Sequence, residues 1–311
     1  MAFTKAQREK FIQLVRKYAN ASLLDENAKK LSEKIAKMTS TPQGMAELAQ
    51  LITENLEEEM KAYDLRPLLF ETRSRTENEV VEYRRKGKFR AYQVTKGGYV
   101  PKSQIFQDVV KAEPAEFAVR PSTHLRQLEV GRISSVNEMI EGAMHALLTE
   151  YARYFYAILE EAVGNDITAD NYAEVTGEVD KATLDKMIHW AAGLGGQVNV
   201  VGTHQSLAPI LDFAGHTDKM KDEIQRTGDL GQYRGAQLVK LEQFMDADDV
   251  DVIKQDTIFV LTRKVGYVDD FGPLRKREIT DGEHDEFSII FRKEMGLTVL
   301  YPEKVGMIKI I

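Results

Sequence analysis

The chain has 311 residues, 43% hydrophobic and 29% charged, the balance of a soluble globular protein with a large core divided over two domains. It has no cysteine, which excludes disulfides, thiolate catalysis and cysteine-based zinc sites. A formal net charge of −7 argues against indiscriminate wrapping of nucleic acid, and no apolar run reaches the roughly 18 residues of a membrane span or forms a secretory leader.

Residues 1–64 read as helices. Phe11, Leu14, Val15 and Tyr18 form one apolar stripe; Leu24, Ala28, Leu31, Ile35 and Met38 form a second, a short heptad seam. Thr41 followed by Pro42 is an N-cap and first-turn pair that starts a third helix through Met45, Leu48, Ile52, Leu56 and Met60. These helices are free to fold on one another or to lie on a partner.

Arg66-Pro67 breaks the helical pattern. From 66 to 111 there are eleven Lys/Arg against five Asp/Glu, a net +6, which leaves −13 for the rest of the chain. Extended runs at 79–83 and 89–95, joined through Gly87, predict a hairpin with Arg84, Arg85, Lys86, Lys88 and Arg90 about its tip. Further extended runs follow at 105–110 and 116–119. So polar a segment buries little and is expected to project and to be ordered by contacts outside its own domain. Tyr83, Phe89 and Tyr92 among the basic residues also fit a single-strand binder that stacks bases, or simply the exposed face of a strand.

Residues 135–163 carry helical periodicity through Ile140, Met144, Leu147, Tyr151, Phe155, Ile158 and Ala162. Ser135 with Glu138 reads as a capping box, and Gly164 with Asn165 as the stop. The spacing predicts a helix roughly 40 Å long, a beam that organises an extended subunit.

From 166 to 263 helices and strands mix: helices over 180–191, 206–213 and 218–226, and strands at 197–201, 237–241 and 257–262. After 265 strands dominate, at 265–268, 274–279, 286–292, 298–301 and 307–311, with turns at Asp281-Gly282, Gly296 and Pro302.

Candidate chemistry is sparse. Gly193, Gly195 and Gly196 follow a helix instead of preceding one, the wrong order for a phosphate loop and the right one for a helix end. Asp246, Asp248, Asp249 and Asp251 lack the glycine and glutamate of a calcium loop. The six histidines form no metal-binding array; His204, in the run Thr203-His204-Gln205-Ser206 at a strand end, is the likeliest catalytic position, although a helix N-cap there explains the run more simply. The loop containing Gly228, Gly231, Tyr233, Arg234 and Gly235 suits either a substrate lid or a contact between neighbouring copies.

The order of elements carries more than any motif. Phe117-Ala-Val-Arg120-Pro121 leading into Gly131-Arg-Ile-Ser-Ser135 and the long helix, the helix–strand–helix pattern over 180–213, and Gly235-Ala-Gln-Leu-Val239 come in succession. The chain then ends on Phe291-Arg-Lys-Glu-Met-Gly296, Tyr301-Pro302 and Ile308-Lys-Ile-Ile311. This resembles the major capsid proteins of tailed bacteriophages, with the Hong Kong 97-type fold, over nearly the whole chain.

The resemblance implies an α+β subunit in four parts: a helical N-terminal arm (1–65), an extended loop hairpin (66–111), a peripheral domain with a spine helix (112–165 and 265–302) and an axial domain (166–264 and 303–311). It implies hexamers and pentamers closing an icosahedral shell around double-stranded DNA, in a virion assembled in the host cytoplasm. No catalysis, cofactor, metal or membrane partner is expected. Arg84, Arg85, Lys86, Lys88, Arg90, Gly228, Gly231, Tyr233 and Arg234 are then expected at subunit contacts, with portal, scaffolding or decoration proteins as possible further partners. The numbering begins at Met1, and the expectation is an uncleaved arm. An encapsulin-like compartment and a soluble α/β enzyme with its site at Thr203–Ser206 are the alternatives.

Overall fold

The computed structural model describes residues 5–19, 25–62, 70–77, 79–85, 109–164, 166, 168–214, 216–227, 230–241, 243, 245, 250–262, 265–281 and 285–311. The chain begins with helices α1 (Lys5–Tyr18), α2 (Glu26–Thr39) and α3 (Pro42–Ala62). Strands β1 (Glu71–Arg75), β2 (Glu82–Arg84), β3 (Val109–Lys111), β4 (Ala115–Val119) and β5 (Ser122–His124) follow. Then come the short helix α4 (Leu125–Glu129) and the long helix α5 (Ile133–Val163). The next stretch holds β6 (Tyr172–Val175), α6 (Lys181–Gly193), β7 (Val198–Thr203), α7 (His204–Leu207) with a 3-10 turn (Ala208–Asp212), and α8 (Asp218–Thr227). The chain closes with β8 (Gln232–Tyr233), β9 (Ala236–Leu241), β10 (Thr257–Thr262), β11 (Gly266–Phe271), β12 (Arg275–Asp281), β13 (Glu286–Val299) and β14 (Val305–Ile310).

Two six-stranded sheets share α5. In the first, β1, β11, β13 and β12 lie in that order, and β4 and β5 also pair with β13. The second runs β6-β14-β10-β7-β9-β8. The two halves of α5 serve different cores. Val136, Met139, Ile140, Ala143 and Leu147 pack with the N-terminal helices, with Leu274 just before β12, and with Phe287, Ile289 and Phe291 of the first sheet. Tyr151, Tyr156 and Leu159 pack where both sheets meet, against Val201, Phe259, Leu261, Val268, Met295 and Leu297. The other face of the second sheet, through Val198, Val200, Ile258, Val260 and Ile308, packs against Leu184, Met187, Ile188 and Ala191 of α6. Alternate residues of β7 and β10 thus enter different cores, as the two-residue period of a strand requires.

Several local expectations are revised. The long helix starts at Ile133, not Ser135, and its 31 residues span about 46 Å. Its N-cap, Arg132, makes no side-chain cap bond. The chain turns from α4 through Gly131 at φ +74°, and Arg132 N–H bonds back to the Gln127 carbonyl at 2.9 Å, which already points the backbone into the helix. Ser135, now buried inside the helix, has its hydroxyl 2.6 Å from Gln127 Oε1 instead of closing a capping box. Gly164, at φ +69°, does end the helix.

Gly296 does not interrupt the last strands. It lies inside β13, whose 14 residues run unbroken because β11 and β4 pair with it on either side of that position. Residues 71–75, expected in the projecting segment, instead form β1 and pair in parallel with β11. The strand at 82–84 pairs with β3 at 109–111; the run expected at 89–95 lies outside the described residues.

The N-terminal helices lie on their own subunit. Thr39 Oγ1 donates to the Leu128 carbonyl at 3.1 Å, and a Cβ on Gly131 would sit 2.1 Å from the Ser32 carbonyl oxygen, so only glycine allows α2 this close to the α4–α5 corner. The Thr41 cap expected from the sequence is present, and helix-capping bonds at Asp180 and Asp25 join it. Thr41 Oγ1 accepts from Gly44 N–H at 3.1 Å, Asp180 accepts from Thr183 N–H at 3.3 Å, and Asp25 accepts from Asn27 N–H at 2.8 Å.

Candidate subunit-contact surfaces

Two of the expected contact regions fall partly among the described residues. The first is the root of the basic segment. Strands β2 and β3 form a separate two-stranded ribbon that packs beside β11 of the first sheet. Its attachment is ionic and aromatic. Asp269 on β11 is fully buried, and both its oxygens accept from the Tyr83 hydroxyl, at 2.6 and 2.7 Å. Arg75 Nε donates to Asp269 Oδ1 at 2.9 Å, and its Nη2 donates to Tyr83 Oη at 3.3 Å. The Tyr83 and Tyr267 rings stack at 4.5 Å and 11°, and the Arg73 guanidinium lies 3.7 Å from the Tyr267 ring centre.

A buried carboxylate is costly unless paired and hydrogen-bonded, and here three donor contacts meet it. Burial, helped by the bond to Asp269, pushes the Tyr83 phenol up to about 12. Hydrogen bonds to Tyr83 and Asp269 raise Arg75 further, so it stays a cation at any working pH. The root is therefore a fixed joint between the ribbon and the first sheet.

Arg84 is exposed on β2. Arg85 turns back onto its own subunit: its Nε donates to the Leu300 carbonyl at 2.5 Å, and Nη2 lies 3.9 Å from Glu303. Lys86, Lys88 and Arg90 lie outside the described residues. Val80 and Val109 are exposed apolar side chains beside this root.

The second region is the turn between β8 and β9. Arg234 at φ +48° and Gly235 at φ +82° form a two-residue connection with both central residues left-handed, the geometry that matches the twist of a tight hairpin. Asp185 on α6 holds this turn: Tyr233 Oη donates to its Oδ1 at 2.9 Å and Arg234 Nε at 3.0 Å. Tyr233 is only 3% exposed, so its ring belongs to the subunit's own core, whereas Arg234 remains at the surface. Burial, with the bond to Asp185, raises the Tyr233 pKa. Gly231 is exposed beside β8, and Gly228 lies outside the described residues.

The other candidates resolve into local structure. Thr203 caps α7, its Oγ1 accepting from Ser206 N–H at 3.2 Å, and the Ser206 hydroxyl donates to the Thr203 carbonyl at 3.1 Å. His204 is exposed, with Nδ1 3.1 Å from Lys240 Nζ. Gly195 and Gly196, at φ +83° and +107°, form the turn after α6. Asp251 accepts from Gln255 at 2.6 Å, while Asp246, Asp248 and Asp249 lie outside the described residues. Among the described residues, no group of three or more His, Asp or Glu is placed to hold a metal ion, and no helix is long and apolar enough to cross a membrane.

The model of one protein family, described as "SPbeta prophage-derived putative capsid protein YonB", matches residues 4–309. The chain belongs to this family of prophage capsid proteins. Solved structures agree on the fold of the capsid protein. A Mycobacterium phage Bobi chain matches at 11% identity and a TM-score of 0.59, over 79% of this chain and 89% of that one. A Gordonia phage Cozz chain matches at 13% identity and 0.55, over 79% and 85%. A chain of the virus-like particle from Pyrococcus furiosus matches at 10% identity and 0.53, over 84% and 98%. No curated protein sequence matches the chain.

The capsid protein therefore has the α+β, Hong Kong 97-type architecture expected from its order of elements, and it is a component of a phage-type virion shell. Sequence reasoning missed the Asp269 joint. The available signal was the pair Asp269-Asp270 inside an otherwise apolar strand, Gly266–Phe271.

Proposed function

We propose that this capsid protein acts without catalysis, assembling into hexamers and pentamers that close an icosahedral shell around double-stranded DNA. The observation that carries the reading is the joint at Asp269. Cross-linking a ribbon to the body through a buried carboxylate, an arginine and a tyrosine is worthwhile only where direction matters. Between its two strands lie residues 86–108, with five Lys/Arg against one Asp, and a neighbouring copy's acidic surface is their natural partner. In this reading β4, β5, α5 and β11–β13 form the peripheral domain. The second sheet with α6–α8 forms the axial domain, with Arg234 at its contact edge. Many modest contacts of this kind, closed by symmetry, make a strong shell.

Expression of the chain alone, with light scattering and negative-stain imaging, tests this. Megadalton shells or capsomer rings are expected, and a monodisperse monomer or dimer overturns the reading. Arg84→Glu, at a residue exposed on β2, probes the ribbon. It is expected to impair assembly while leaving the folding transition of the subunit unchanged.

A protein compartment of the same fold, loaded with cargo enzymes, is the second reading. It is favoured by the match to the virus-like particle chain over 98% of that chain's length. Nuclease-resistant nucleic acid inside purified shells supports the first reading, and co-purified protein cargo supports the second.

A further inference from the structure

The basic segment after residue 66 is not the protein's only positive region. Residues 5–39 carry nine Lys/Arg against four Asp/Glu, a net +5, which leaves −18 for everything outside these two segments. The fold makes a surface of this charge. Phe11, Ile12, Val15 and Tyr18 of α1 and Ala28, Leu31, Ile35 and Met38 of α2 are buried in the core shared with α5. The opposite faces hold Lys10, Arg16, Lys17, Lys29, Lys30, Lys34 and Lys37, all exposed, against Asp25, Glu26 and Glu33. Lys34 Nζ lies 5.3 Å from the centre of the Phe11 ring, so the faces of the two helices adjoin.

The chemistry of this face differs from that of the ribbon root. Six of its seven cations are lysines, and among the described residues α1, α2 and α3 expose no large apolar side chain. Protein interfaces are poor in lysine and depend on aromatic and arginine anchors. A row of lysine point charges without an apolar anchor suits a polyanion read through its backbone. The ribbon root, by contrast, combines arginines with Tyr83 and the exposed Val80 and Val109.

We propose that the outer face of α1 and α2 lines the inside of the shell and contacts the phosphate backbone of packaged duplex DNA. This rests on the DNA-shell reading above and assigns its inner surface. The contact is sequence-independent, because lysines spaced along two helices neutralise phosphates without reaching base edges.

The test compares the full-length chain with a triple variant, Lys29→Gln, Lys30→Gln and Lys37→Gln, chosen because glutamine keeps helix propensity. Binding to a short random-sequence duplex is measured by fluorescence anisotropy across a salt series, and assembly by light scattering. Expected are shells that assemble as before, a loss of at least about tenfold in affinity at low salt, and a salt slope shallower by about 2.7 for three lost phosphate contacts. An unchanged affinity and slope in the variant, with the parent binding duplex, overturns this assignment and leaves the DNA-shell reading standing. Failure of the variant to assemble with duplex binding intact also overturns it, and makes the face a contact between copies. A parent chain that binds no duplex and forms shells free of DNA overturns both.

Discussion

The two sheets solve the same packing problem in opposite ways. The second sheet is covered on both faces, by the end of α5 on one side and α6 on the other, and every residue of β7 and β10 is buried. The first sheet is covered on both faces only at β11, where Val81 and Tyr83 pack over Phe271, and it is open on one face across β4, β12 and the first part of β13. Phe287, Ile289 and Phe291 enter the core, while Glu116, Arg275, Arg292 and Glu294 form an ionic lattice outside, with contacts of 3.4–3.7 Å. A sheet buried on both faces gains stability from apolar area. A partly open sheet keeps a polar surface for other uses, and Asp269, buried at its covered edge, is the joint that holds the ribbon.

The largest expected effect lies in the doubly covered sheet. Phe259→Ala removes a fully buried ring that packs edge-on to Tyr156 at 5.1 Å and should cost about 3–5 kcal/mol in denaturant unfolding of the unassembled chain. A cost below about 1 kcal/mol would mean that this core collapses around the void, and the contrast between the sheets would fail.

Next is the joint. Asp269→Ala leaves Arg75 and the Tyr83 hydroxyl without their shared partner, for an expected loss of about 3 kcal/mol. A second readout separates position from stability: limited proteolysis should cut between residues 86 and 108 faster in the variant, because the ribbon has lost its anchor.

The contrast also explains what the sequence revealed. Strand β10 was expected over 257–262 and is found there, because a strand buried on both faces reads as a continuous apolar run. Strand β1, Glu-Thr-Arg-Ser-Arg, gives no such signal. It is a polar edge strand held by parallel pairing with β11, a partner almost two hundred residues away. The pairing of β2 with β3 was not legible for the same reason. These strands are three residues long, and the joint that makes them a unit involves Asp269, which no local pattern connects to Tyr83. The start of α5 was misplaced because a Ser-x-x-Glu pattern outranked Gly131, whose left-handed turn fixes where the helix begins. Of the candidate contact residues, Arg84 and Arg234 are at the surface. Tyr233 turned inward because Asp185, forty-eight positions earlier, accepts its hydroxyl.

The joint also predicts a pH dependence. The Tyr83 phenol titrates near 12 in the folded chain, above its ordinary value of 10. A raised folded-state pKa contributes stability that is complete below pH 10 and is lost as pH climbs from about 10 to 12. Tyr156 and Tyr172 are raised as well, so the measurement is a difference. The parent should lose more stability than Tyr83→Phe between pH 10 and 12, and equal losses would remove Tyr83 from the joint's energetics.

The smallest effect is expected on the outer face of the first sheet. Arg275 reaches Glu116, Glu294 and Glu77, and Arg292 shares Glu116 at 3.4 Å, but these side chains stay 22–51% exposed and water screens them. Arg292→Ala should therefore change unfolding free energy by less than about 0.5 kcal/mol. A loss above about 2 kcal/mol would show the lattice acting as one cooperative unit, and the first sheet would then depend on its polar face as the second depends on its cores. With subunit stability unchanged, any assembly defect in Arg292→Ala must arise between subunits, since the face it alters is uncovered within one. That separation makes the weakest stability variant the most direct probe of whether the polar face is in use.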